Sequence, residues 1–250
     1  MYECRLIVSE PASGAMNMAL DEAMLESASQ QRNDIATLRI YSWAKPTLSL
    51  GYFQRAADRE LHPDSGECEL IRRPSGGGAI LHDRELTYAL VLPAAMAKGE
   101  AASGWYFKVH DALIAAIAEL TGARAVLCEN PPQLNARDEP FLCFQRRAAG
   151  DVLLGEHKIA GSAQRRRSDA ILQHGSVLLQ TSPHAPELPG ISDLSHSDVT
   201  FESLADRFVA SLSQRLNFDL QIAQPTEGEL NQAGVLSRQK YDTSSWTSRR

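Results

Sequence analysis

Cysteine is scarce. Only Cys4, Cys68, Cys128 and Cys143 occur in 250 residues, and none stands in a CxxC or Cys/His spacing, so a zinc site of those patterns is excluded. No apolar run approaches the ~20 residues that cross a bilayer, so no membrane role is expected. The opening "MYECRLIVSEP" lacks the basic start and long apolar core of a signal peptide. A cytoplasmic home with free thiols follows as the expectation. Surplus positive charge is also missing: the net charge is -6, which gives no general nucleic-acid surface. One locally basic tract, "QRRRSD" at 164–169, reads as a solvated hairpin turn or as a patch that meets an acidic partner. There is no internal repeat and no low-complexity linker, so residues 1–250 are expected to form a single catalytic domain.

What is present is an ordinary globular composition, 43% hydrophobic and 22% charged, in a chain long enough to bury a core without staples. "SGAMNMALDEAMLESASQQ" (13–31) predicts a helix with Met16, Leu20, Ala23 and Met24 on one face and Ser13 as cap. "ATLRIYSW", "PTLSLGYFQ" and "CELIRR" predict strands, as does "ELTYALVLP", whose Leu86, Tyr88, Leu90 and Leu92 face one way. A strong helix over 103–122 carries the stripe Tyr106, Val109, Leu113, Ile117 and Leu120, with Ser103 as cap and Gly122 as stop. "RAVLC" predicts a short strand and 129–140 a loop. A hairpin turns at Gly155–His157, and a long strand follows over 168–180. After a loop over 181–198 come a helix capped by Thr200 and a last helix over 226–241 with a polar tail. Strands look antiparallel and the βαβ alternation of a parallel sheet is missing. The expected class is α+β, a mixed, largely antiparallel sheet flanked by helices.

The stretch "RRPSGGGAILHD" (72–83) needs a chemical reason. A P-loop requires a Lys after its glycines, and a dinucleotide fold requires a helix there; this sequence has neither. A bare backbone between strands lets N–H groups approach an anion or an acyl carbonyl, with Arg72 and Arg73 supplying charge. The plain alternative is a tight hairpin or bulge.

"RRPSGGGAILHDRELTYALVL" resembles the signature of the lipoate/octanoate attachment family, which comprises lipoate-protein ligase A, the octanoyltransferases and, more distantly, the biotin protein ligases. Four further segments match in order: "NMALDEAML" (17–25), "TLRIYSWAKPTLSLGYFQ" (37–54), "HKIAGSAQRR" with "LQHGSVLL" (157–166 and 172–179), and "KYDTSSWT" (240–247). The second supplies Arg39, Tyr41, Trp43, Pro46, Ser49, Gly51 and Gln54. The resemblance implies the catalytic-domain fold shared with the biotin/lipoate protein ligases, and a glycine loop that wraps the acyl tail.

The family divides by how the acyl group is activated. Ligases make an acyl adenylate with ATP and magnesium, whereas octanoyltransferases take octanoyl from a thioester on acyl carrier protein. Lys158 of "HKIAGSA" matches the lysine of both branches. Cys143 of "PFLCFQ" matches the nucleophilic cysteine of the LipM-type octanoyltransferases, which also stands in a "CF" context; its plain alternative is a buried structural cysteine, as expected for the other three. "LHDRELTYAL" is nearer the transferase form, the asparagine that typical ligases carry after the loop is absent, and the chain ends near 250 without an accessory domain. The three-glycine "SGGGA" departs toward the ligases.

The resemblance therefore implies Cys143 and Lys158 as catalytic residues. Arg73, Ser75, Gly76, Gly77, Gly78, Gly161, Ser162 and Ala163 would bind substrate, with His82 and His174 as weaker candidates whose plain alternative is a satisfied core histidine. No metal site is expected from the histidine spacing, and Asp83 reads as a loop hydrogen-bonder. The expected activity is octanoyl transfer from acyl carrier protein, through a cysteine thioester, to a lipoyl-domain lysine of the glycine cleavage H protein or a 2-oxoacid dehydrogenase E2, with no cofactor. An ATP-dependent lipoate-protein ligase and a non-catalytic binder of lipoyl domains or acyl groups are the alternatives.

Overall fold

In the computed structural model of the protein, residues 1–30, 34–98, 102–133, 135 and 139–250 are described. Gln31 at the end of the expected first helix and part of the expected 129–140 loop lie outside the described residues. In chain order the elements are β1 (Tyr2–Val8), α1 (Gly14–Gln30), β2 (Ala36–Tyr41), β3 (Thr47–Leu50), β4 (Glu69–Arg72), β5 (Ile80–His82), β6 (Glu85–Leu92), α2 (Ala94–Lys98), α3 (Ala102–Thr121), β7 (Ala125–Leu127), β8 (Val152–Leu154), β9 (His157–Arg167), β10 (Ala170–Leu178), α4 (Ile191–Ser195), α5 (Phe201–Leu216), β11 (Phe218–Ile222), α6 (Glu227–Leu236) and α7 (Ser244–Thr247).

Among the described residues, a large mixed sheet runs β11-β1-β2-β6-β10-β9-β8-β7, and β4-β3-β5 form a small second sheet. The α+β class holds. Pairing is antiparallel from β2 through β7 and parallel at β11-β1-β2. The parallel pair β1-β2, joined by α1, corrects the expectation that no βαβ unit exists. β1 carries no alternating signal, because Cys4 and Leu6 pack on one face of the sheet while Ile7 packs on the other.

The sheet is covered on both sides, which buries β6 along its whole length. Leu86, Tyr88, Leu90 and Leu92 meet Val109, Leu113 and Ile117 of α3 and Leu204, Phe208 and Leu212 of α5. Ala89 and Val91 face α1 on the other side. A third cluster, including Leu48, Leu81, Leu142 and Phe144, fills the space between the small sheet and the segment that bears Cys143.

Helix ends explain the element lengths. The Met16 N–H donates to Ser13 Oγ at 3.3 Å, so Ser13 caps α1. The Ser203 N–H donates to Thr200 Oγ1 at 3.2 Å. Gly122 takes φ +69° and donates its N–H to the Ala118 carbonyl, closing α3. That helix begins at Ala102, so Ser103 lies inside its first turn rather than at its cap. The expected 181–198 loop contains the short α4, where the Asp193 carboxylate accepts from the Gly190 and Thr181 backbone N–H groups. The expected polar tail folds as α7 because the Trp246 indole donates to the Arg72 carbonyl at 2.8 Å.

Candidate active site

Cys143 is the one cysteine of the four that is not buried, and it opens on a cavity of about 330 Å³. Its backbone is pinned to the glycine loop. The Cys143 N–H donates to the Ala79 carbonyl at 2.7 Å, and the Ala79 N–H donates to Phe141 at 3.0 Å. The sequence thereby fixes the thiol against the residue that follows the three glycines.

Lys158 points at that thiol. Its Nζ lies 3.7 Å from Cys143 Sγ, 3.4 Å from the Cys143 carbonyl and 2.8 Å from Asp151 Oδ2. Burial pushes the ammonium toward losing its proton, but its interactions with Cys143 and the Asp151 carboxylate outweigh that, so the Lys158 pKa is raised. Gly161 makes room: a Cβ there would stand 2.6 Å from Lys158 Cε. Asp151 was invisible to sequence reasoning. It follows Gly150, which takes φ +87°, and accepts the Ala148 N–H at 2.6 Å. A carboxylate just before an apolar strand was the available signal.

The two neighbouring arginines divide their work. Arg72 does not supply charge to the site. Its guanidinium donates to the carbonyls of Gly51, Tyr52, Gln54, Trp246 and Thr247, tying α7 to β3 and β4. Arg73 lines the cavity. Its Nη1 donates to the Ser49 carbonyl at 2.8 Å, its Nη2 to Gly76 and Gly78 carbonyls at 2.9 and 2.6 Å, and its buried Nε has no partner among the described residues. Burial lowers its pKa to about 10, which leaves it charged at neutral pH. Gly77 takes φ +97°, and a Cβ on Gly51 would meet the Gly77 carbonyl oxygen at 2.0 Å, so neither position accepts a side chain without movement.

Gly76, Gly77, His82, Gly161, Ser162, Ala163 and His174 join Arg73, Cys143 and Lys158 around the cavity. Ser75 and Gly78 do not line it. Ser75 Oγ is 2.6 Å from His174 Nε2, and a Cβ on Gly78 would stand 3.0 Å from the Cys143 N. His82 stacks on Trp43 with ring centroids 3.9 Å apart and bridges Glu85 and Ser49. Both histidines are thus hydrogen-bonded wall residues. Asp83 accepts from Ser182 Oγ at 2.7 Å outside the cavity, as its loop position suggested. His110, unread in the sequence, and Tyr88, read there only as a core residue of its strand, hold Ser162 from behind.

The profile of the lipoyl protein ligase A/B catalytic domain matches residues 13–228. The chain belongs to this family. It is 31% identical to octanoyltransferase LipM of Carboxydothermus hydrogenoformans, with 94% of each chain covered. Similarity at that level over nearly the whole length makes the protein an acyltransferase. A putative lipoate protein ligase from T. acidophilum with bound lipoic acid is 27% identical, with a TM-score of 0.78 and 99% and 100% of the two chains covered. A lipoate-protein ligase A bound with ATP is 27% identical at a TM-score of 0.78, with 98% of each chain covered.

Several of the residues that carried the family resemblance build the frame of the site. The Arg39 guanidinium donates to Asp21 Oδ1 at 2.8 Å and to Asn17 Oδ1 at 2.7 Å, and Tyr41 donates to Asp21 Oδ2 at 2.8 Å. Asp21 stands 3.6 Å from His174 Nδ1, which carries this network to the glycine loop through Ser75. The Trp43 indole donates to Thr87, and Lys240 and Tyr241 both donate to Glu22.

Proposed function

We propose that this lipoyl protein ligase A/B family member is a cysteine-dependent octanoyltransferase of protein lipoylation. The observation that carries this reading is the Lys158 ammonium 3.7 Å from Cys143 Sγ, inside a cavity bounded by the glycine loop. In the first step the Cys143 thiolate attacks the carbonyl of an octanoyl thioester on acyl carrier protein. The new C–S bond forms as the old one breaks, and the departing thiolate takes a proton. In the second step the ε-amine of a lipoyl-domain lysine attacks the acyl-enzyme and Cys143 leaves. One thioester becomes another before the amide forms, so no ATP and no cofactor are needed.

Lys158 would balance the negative charge of the thiolate and of each tetrahedral oxyanion. Arg73, Gly76 and Gly77 would shape the acyl pocket, with Gly161 and Ala163 along its lysine wall and His82 and His174 at its sides, while Ser75 would hold His174 and Gly78 would leave room for the Cys143 backbone from outside it. About 330 Å³ falls at the small end of ligand pockets, which suits a short acyl chain. The acceptor would be the glycine cleavage H protein or a 2-oxoacid dehydrogenase E2. We read residues 1–250 as one catalytic unit working in the cytoplasm. No helix among the described residues is long and apolar enough to cross a membrane.

An ATP-dependent ligase is the second reading, favoured by the likeness to the ATP-bound lipoate-protein ligase A. The two separate when the protein is mixed with octanoyl-acyl carrier protein and an apo lipoyl domain without nucleotide. Octanoylation of the domain, read by its mass, is the expected result. Modification only with lipoate and ATP, accompanied by AMP release, would establish the ligase instead.

A further inference from the structure

Beside the segment that bears Cys143, side chains from two distant parts of the chain converge. His62, Asp64 and Glu187 each offer one ligand atom, and these atoms all lie within 4.8 Å of one another. His62 Nε2 stands 2.9 Å from Glu187 Oε1 across 125 residues of sequence, which is why histidine spacing did not reveal the group. Donors about 2.1 Å from one zinc ion lie at most about 4.2 Å apart. A small turn of the exposed Asp64 and Glu187 side chains would therefore close a shell around one ion.

The partners behind these ligands are already in place. The His62 ring is buried and lies against Phe141, with centroids 6.5 Å apart. Its Nδ1 is 2.9 Å from Ser65 Oγ, and the same hydroxyl donates to the His62 carbonyl at 3.1 Å. With the hydroxyl hydrogen on that route, Nδ1 keeps the ring proton and Nε2 presents its lone pair. Glu187 Oε1 also accepts from Gln145 Nε2 at 3.3 Å, so the carboxylate is held too. One partner behind the imidazole and one behind the carboxylate is the arrangement that orients metal ligands. An ion pair between His62 and Glu187 does not balance the charge, because two carboxylates face one imidazole. The Asp64 carboxylate has no hydrogen bond or ion pair among the described residues. His184 turns its Nδ1 to the Asp64 backbone carbonyl at 3.4 Å, and Arg59 directs its Nη2 to the carbonyls of Ser65, Gly66 and Cys68.

We propose that His62 Nε2, Asp64 and Glu187 bind one zinc or other first-row divalent cation, with water completing the shell. A nitrogen beside two carboxylates suits these ions better than magnesium or calcium, which take oxygen ligands. The proposal is independent of the thioester reading. Phe141 and Gln145 flank Cys143 at two residues on either side, so the ion would tie the 62–65 turn and the loop after β10 to the segment that carries the thiol. It braces that wall and takes no part in the acyl chemistry.

The test uses the full chain with Cys143→Ala as background, so that this thiol cannot hold the ion. The protein is stripped with a chelator and dialysed against zinc chloride, and its metal content, zinc affinity and Tm are measured. One zinc per chain and a Tm raised by several degrees are expected. Asp64→Asn and Glu187→Gln, both at exposed positions, and His62→Gln should each weaken binding by at least about tenfold, and Gln145→Ala, which removes only an outer partner, by about tenfold. Glu187→Gln decides the matter if His62→Gln does not fold. Cobalt in place of zinc should give a d–d spectrum without a thiolate charge-transfer band. No zinc bound at micromolar concentration, zinc bound equally well by folded Glu187→Gln, or a thiolate band with cobalt would overturn the proposal.

Discussion

Arg39–Asp21 and Lys158–Asp151 are both buried ion pairs at 2.8 Å, yet one is closed and the other open. Around Arg39, Ser9 and Asn17 take the remaining donors, the Tyr41 ring lies 3.8 Å from the guanidinium, and Tyr41 fills the second Asp21 oxygen. Burial opposes the Asp21 charge, but His174, Arg39 and Tyr41 overcome it and lower its pKa. Lys158 has its short contact to Asp151 and reaches Cys143 only at 3.4 and 3.7 Å. A saturated pair holds its elements together. An unsaturated one keeps a donor for a charge that appears during a reaction.

The comparison sharpens most at the thiol. Cys143→Ala is expected to fold normally and to lose at least about a thousandfold in transfer, as removal of a nucleophile does; assay of the purified variant checks this. Cys4 marks the contrast, since burial pushes its thiol up to about 12 and makes it a packing residue. Next in size is Asp21→Ala, which strands the buried Arg39 charge. A loss of about 4 kcal/mol, or a fall of about 10 °C in Tm, is expected by thermal melting.

Acid provides the third test. The His110 pKa is about 4 in the fold against 6.5 as its ordinary value, because burial opposes charging and the Lys158 charge adds to that, more than Gly150 and Asp151 favour it. The unfolded chain binds this proton first. The stabilisation is present above about pH 6.5 and lost as pH falls toward 4, on the order of 3 kcal/mol. Urea midpoints at the two pH values should differ less in His110→Phe than in the parent. Smallest is Gly161→Ala, whose methyl meets Lys158 Cε and Nζ at 2.6 and 2.9 Å. Displacing the ammonium should slow transfer about tenfold with a minor change in Tm; equal rates would mean that the Lys158 position is uncritical.

Much of this was legible in the residues. The alternation in β6, the caps Ser13 and Thr200, and the Gly122 stop are local signals, and each appears where its chemistry required. Cys143 and Lys158 came from family likeness, and their approach to 3.7 Å spans fifteen residues of chain that no periodicity links. His110 escaped, and Tyr88 was legible only as a core residue, because both act through Ser162, which lies 52 and 74 residues further along the chain; Asp151 reaches Lys158 only because the β8–β9 turn folds the two together. Arg72 and Arg73 look alike in the sequence; only the return of α7 beneath Arg72 tells them apart.

Intact-mass measurement of the enzyme itself, mixed with octanoyl-acyl carrier protein in the absence of ATP, tests the central claim most directly. One octanoyl group should appear on the parent, be removed by hydroxylamine, and be absent from Cys143→Ala. An unmodified enzyme that acylates a lipoyl domain only when lipoate and ATP are supplied would contradict the account and reduce Cys143 to a wall residue.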